Sequence, residues 1–172
     1  TGHRRIAIAT TEHGSERFLS LRRKTHADFL AERGLAPGSG LAFSVKLSEE
    51  GGRDLVREVL ALPDWRAKVD SILCGNDLLA VSAIAAFLEA GVVPGRDISI
   101  VGMDDIPAAA HCRPGLTTIR KPRSLIGTTA VDLLLERLGN PELPARSRLY
   151  PGELVVRESV ADRTGSAREA GA

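Results

Sequence analysis

The sequence carries no excess of charge of either sign: 23 lysines and arginines face 22 aspartates and glutamates, for a formal net charge of +1. A near-neutral chain lacks the positive field that grips phosphate backbones through counterion release, so these residues alone are not expected to bind nucleic acid. Cysteine is scarce. Cys74 and Cys112 stand in no CxxC or Cys/His spacing, which predicts reduced, buried thiols in a cytoplasmic protein rather than a disulfide or a metal site. No run reaches the roughly 18 apolar residues that span a bilayer, and the first residues lack the basic-then-apolar order of a signal peptide. The four histidines, His3, His13, His26 and His111, lack the i, i+4 spacing of a helical metal pair. Also missing are a G-x-G-x-x-G after a strand, a G-x-x-x-x-G-K-[ST] loop and a G-x-S-x-G elbow. No nucleophile and base are visibly paired, so no catalytic residue, cofactor or metal is predicted and the chain does not read as an enzyme.

What the sequence does contain is alternation. Residues 4–10 form a short apolar run that predicts a buried strand, and 18–33 carry a helical pattern with Phe18, Leu21, Phe29 and Leu30 as apolar contacts and Gly34 as its stop. Residues 41–45 predict a second strand. Ser48 then precedes a helix striped by Leu55, Val56, Val59 and Leu60 and ended by Pro63. A third strand over 69–74 runs into Asn76 and Asp77, whose side-chain oxygens can cap a helix over about 78–90 that carries only Glu89 as a charge. Such a helix, apolar nearly all round, is expected to be covered on more than one side. A fourth strand over 97–101 ends in Gly102-Met103-Asp104-Asp105. Later come a brief strand over 116–119, a helix capped by Ser124 and running to Leu138, a last strand over 154–157, and a tail with the composition of disorder. Strands alternating with helices imply right-handed crossovers and an α/β, three-layer architecture around a parallel sheet.

In such a sheet a ligand binds beyond the carboxyl ends of the strands, where loops converge and helix amino termini point their amides. That rule selects the loop of Thr11, Glu12, His13, Ser15, Glu16 and Arg17, the Asn76-Asp77 pair, and Asp104-Asp105. Guanidinium forks and carboxylates together suit a small polyhydroxylated or heterocyclic molecule. The bland readings stay open beside this one: Asn76 and Asp77 as helix caps, Asp104 as a turn residue, His13 as a solvated loop residue.

The blocks at 72–77, 98–105 and 116–122, with the opening 1–7 and the closing 151–159, resemble the effector-binding domain of the lactose and purine repressor family, in the family's order and spacing. The resemblance implies a periplasmic-binding-protein-like lobe. Residues 1–115 and 150–163 would form mainly the carboxyl-terminal lobe, 116–149 a crossover belonging to the first lobe, and 164–172 a tail; a helix-turn-helix and most of the first lobe would lie outside the chain. By the same resemblance Asp104 would hold effector hydroxyls or ring nitrogens, Asn76 would bind sugar, and Leu73 stands where some members have an aromatic wall. The effector arginine would be Arg22, with Arg17 as second choice. Lys121 replaces a frequent glutamine, and Arg123 sits where some members place an aromatic effector contact; these cations would favour an acidic or phosphorylated effector, with a solvated face as the alternative. The implied function is a homodimeric repressor sensing a sugar or nucleoside-like effector, with DNA read only by an amino-terminal domain and no membrane involved. A sugar-binding protein of a transport system is the alternative.

Overall fold

The computed structural model describes residues 1–11, 16–35 and 41–164, and for 16–20 the backbone alone. His13 and the tail from 165 onward lie outside the described residues, as does the side chain of Arg17.

The elements run β1 (Ile6–Thr10), α1 (Glu16–Glu32), β2 (Ala42–Ser44), α2 (Glu49–Leu60), α3 (Trp65–Lys68), β3 (Ser71–Cys74), α4 (Asp77–Glu89), β4 (Ser99–Met103), α5 (Pro107–His111), β5 (Thr117–Arg120), α6 (Arg123–Gly139) and β6 (Glu153–Val155). They build one six-stranded sheet in the order β2-β1-β3-β4-β5-β6, parallel throughout except for β6, which pairs antiparallel with β5.

The period-two alternation of the strands divides the sheet's two faces. Ala7, Ala9, Ile72, Cys74 and Ile100 turn to the core shared with Leu55, Val59, Leu79, Ile84 and Phe87 of α2 and α4. Ile6, Ile8, Thr10 and Leu73 turn to α1 on the opposite side. Helices α2 and α4 approach closely because Gly52 has no side chain; a Cβ there would meet Ser82 Cβ at 2.5 Å and the Leu79 carbonyl at 2.8 Å. Ser48 caps α2, its side chain accepting from the Gly51 amide (3.1 Å). At the end of α1, Gly34 adopts φ +64°, the left-handed conformation that stops a helix at little cost in glycine.

Several expectations change. The fourth strand starts at Ser99 instead of 97, because the Asp97 carboxylate takes up the Val93 amide (2.8 Å) and makes a turn. Residues 117–120, within the stretch expected to be a crossover, form β5, hydrogen-bonded inside the sheet between β4 and β6, and Leu116 is fully buried. Ser124 is not the cap of α6; Pro122 holds that position without a side-chain cap, and Ser124 uses its carbonyl to accept from the Thr128 hydroxyl. Leu21 and Phe29 do not pack into the core; both are exposed, while Leu30 is buried. Helix α4 buries one side and leaves Leu78 and Leu88 to solvent, and α6 buries none of its residues. Cys74 is buried and Cys112 only partly so, both as free thiols.

Candidate functional site

Because β1, β3, β4 and β5 run parallel, their carboxyl ends share one edge, which brings together Thr10, Gly75, Met103 with Asp104, and Lys121. Helix α1 sends Arg22 to this edge: Nη1 donates to the Gly75 carbonyl (3.2 Å) and Nη2 to the Met103 sulfur (3.3 Å). Partial burial pulls the Arg22 pKa below its ordinary value, and the Asp104 carboxylate pushes it back up, so the two residues feel one another across the edge.

A cavity of about 420 Å³ lies between α1 and the sheet. Ile6, Ile8, His26 and Phe29 line the part toward the strand starts; Thr10, Arg22, Leu73, Gly75 and Met103 line the part at the strand ends. His26 bonds the Ile6 carbonyl there (2.9 Å). The Thr10 hydroxyl is buried and has no hydrogen-bond partner among the described residues, which leaves a donor and an acceptor at the cavity wall. Sequence reasoning passed over Thr10; its place as the last residue of the first strand was the signal.

The four acidic and amide candidates separate into two kinds. Asn76 is the amino-terminal cap of α4, its Oδ1 accepting from the Leu79 amide (2.9 Å). Asp77 is fully buried: Oδ1 accepts from the Thr118 hydroxyl (2.6 Å) and Oδ2 from the Ile106 amide (2.9 Å), which ties α4 to β5 and to the segment before α5. Gly102 makes room for it, since a Cβ there would run into the Asp77 carboxylate. Asp105 is likewise structural, held by Arg157 (2.8 Å) and Arg120 (2.7 Å), and these guanidinium partners, Arg157 foremost, keep its carboxyl below the usual carboxylate range. Asp104 alone stays at the rim. Its Oδ1 accepts from Lys121 Nζ (2.6 Å), and its carbonyl accepts from Arg123 Nη1 (3.0 Å).

The chain turns sharply to achieve this. Asp104 has φ 121° and Asp105 φ 54°, two successive non-glycine residues in positive-φ backbone, a strain of the kind that collects at ligand-binding sites. The structure therefore brings Arg22, Leu73, Asp104, Lys121 and Arg123 to one edge and commits the Asn76 oxygen to a cap. His13 and the Arg17 side chain lie outside the described residues.

Residues 1–160 match the model of the periplasmic binding protein-like domain. The chain belongs to this family. Among its relatives is the HTH-type transcriptional repressor PurR of Photobacterium profundum, 30% identical over 94% of this chain and 47% of its own length. Among solved structures, a LacI family transcriptional regulator from Enterococcus faecium with bound ribose superposes with a TM-score of 0.80 at 26% identity, covering 93% of this chain and 57% of that one. A dimeric Lac repressor with a carboxyl-terminal deletion superposes with a TM-score of 0.78 at 29% identity, covering 93% and 56%. The similarity is thus to the effector-binding domain of lactose- and purine-repressor-type regulators, which are not enzymes, and the chain spans about half the length of the relatives it matches.

Proposed function

We propose that this chain is the ligand-sensing part of a cytoplasmic, DNA-binding transcriptional repressor, and that a sugar or nucleoside-like effector binds at the edge formed by Thr10, Arg22, Leu73 and Asp104. The observation that carries the reading is that Arg22, sent by α1 onto Gly75 and Met103, and Asp104, just past β4, stand at one strand-end edge beside a cavity whose wall holds a hydroxyl with no partner among the described residues. A guanidinium fork and a carboxylate at one edge offer donors to ring oxygens and acceptors to hydroxyls, and the apolar wall at Leu73 takes the face of a ring.

The regulator acts as a homodimer whose two lobes close on the effector. Effector binding shifts a two-state equilibrium in proportion to its differential affinity, and a DNA-reading segment outside these residues senses the state, with coupling of about 1–3 kcal/mol as is usual for such systems. Support for a dimer comes from α4, whose exposed Leu78 and Leu88 continue an otherwise apolar helix. Ribose in the E. faecium structure supports the sugar class.

Calorimetry of the intact regulator against a panel of sugars and nucleosides tests this. Replacing Asp104 with Ala removes a charge-assisted acceptor, so affinity should fall about tenfold or more. Unchanged affinity in that variant would show that the effector lies elsewhere.

A further inference from the structure

Among the described residues, the rim around Asp104 carries two basic side chains, Lys121 and Arg123, beside its single acid. Lys121 Nζ lies 2.6 Å from Asp104 Oδ1, Arg123 Nη1 lies 3.0 Å from the Asp104 carbonyl, and Arg22 is electrostatically coupled to the same carboxylate. The adjacent acid gives no relief, because Asp105 is taken up by Arg157 and Arg120, and Arg120 also reaches Glu153 (3.2 Å). Among the described residues, Lys121 pairs with the Asp104 carboxylate and Arg123 with its carbonyl, so two cations meet at one acid, while the neighbouring network of two arginines and two acids is balanced.

The surplus is placed to be used. The Lys121 side chain is 42% exposed and Arg123 is exposed, so both heads meet solvent at the rim. An ammonium has three donors and a guanidinium five; Asp104 engages one of each. Both residues sit at the amino terminus of α6, a 17-residue helix with no side-chain cap, whose dipole adds positive potential at the same point. A neutral polyol binding to Asp104 must compete with Lys121 for the carboxylate. An anionic substituent leaves that pair intact and accepts from the other donors.

We infer that the effector bears a phosphate or carboxylate group, received by Lys121 and Arg123 beside Asp104. This rests on the strand-end edge being the effector site. The preference is for an acidic or phosphorylated ring over its neutral counterpart, because only the charged substituent draws on both cations at once.

Inorganic phosphate is the first probe, titrated into the intact chain against chloride at matched ionic strength and read by amide chemical shifts and by the thermal midpoint. Phosphate should bind saturably, shift the amides of residues 121–125, and weaken about tenfold in Lys121→Gln and again in Arg123→Gln, the loss expected for one charge-assisted hydrogen bond each. Asp104→Asn should tighten phosphate, since it releases Lys121. Glucose 6-phosphate and ribose 5-phosphate should then bind better than glucose and ribose. Phosphate acting no differently from chloride, or binding unaltered by both cation variants, overturns the inference, and this arm decides even if no sugar in the panel binds. Failure of the underlying site reading shows separately, as a neutral or charged sugar whose affinity ignores Asp104→Ala.

Discussion

Asp77 and Asp104 are both carboxylates just past the end of a parallel strand, yet their surroundings give them opposite duties. Asp77 has no exposure and two protein donors, so its removal leaves the Thr118 hydroxyl and the Ile106 amide buried and unpaired. Asp77→Ala should cost at least about 2 kcal/mol of stability in chemical denaturation, the desolvation penalty of two orphaned donors. Gly102→Ala should cost about 1–3 kcal/mol by forcing the same carboxylate aside. Equal midpoints for wild type and Gly102→Ala would show that this packing is looser than it looks. The thiols offer a further check. Burial raises the Cys74 pKa to about 12, whereas Cys112 is only partly buried, so a thiol reagent should label Cys112 in the native state and Cys74 only on unfolding. None of these distinctions was legible from composition, because the partners that separate the acids lie far off in sequence: Thr118 for Asp77, and Arg157 for Asp105.

At the scale of elements, the long strands and helices were legible because their apolar residues repeat with periods of 2 and 3.6 over enough positions to register. The four residues of α3 and the five of α5 are too short to show a period, and both were missed. The place of β5 was not legible for another reason: Thr117–Arg120 reads as a strand in any sheet, and only its pairing with β4 decides which. Helix α6 was read correctly in extent but not in its cap. Its Leu134 and Leu138 are 58% and 68% exposed, alongside Ile126 and Val131, an apolar stripe left largely open to solvent among the described residues. The isolated 172-residue chain should therefore self-associate in light scattering, and Leu134→Glu with Leu138→Glu should restore a monomer. A monodisperse wild-type monomer at high concentration would contradict this.

Across the whole molecule, acid should loosen the fold in two stages. His3 bonds Ser99 (2.7 Å), and burial lowers its pKa below the ordinary 6.5. The folded state thus favours the neutral ring, and stability declines as pH falls from about 6.5 through the folded-state value. Asp105 has the depressed pKa of a paired carboxylate, so its contribution is present above about pH 4 and is lost as pH falls through its lower folded value. Urea midpoints measured from pH 7 to 3 should fall in both ranges, and His3→Gln should flatten the upper one alone.

The sheet's outer strands bear on how molecules meet. The two rims, β2 and β6, are three residues long each, too short to template a neighbour's backbone. Growth by strand addition into cross-β fibres is therefore blocked at both ends, and whatever assemblies the protein forms should be joined through side chains of its helices, reversible on dilution and blind to amyloid dyes.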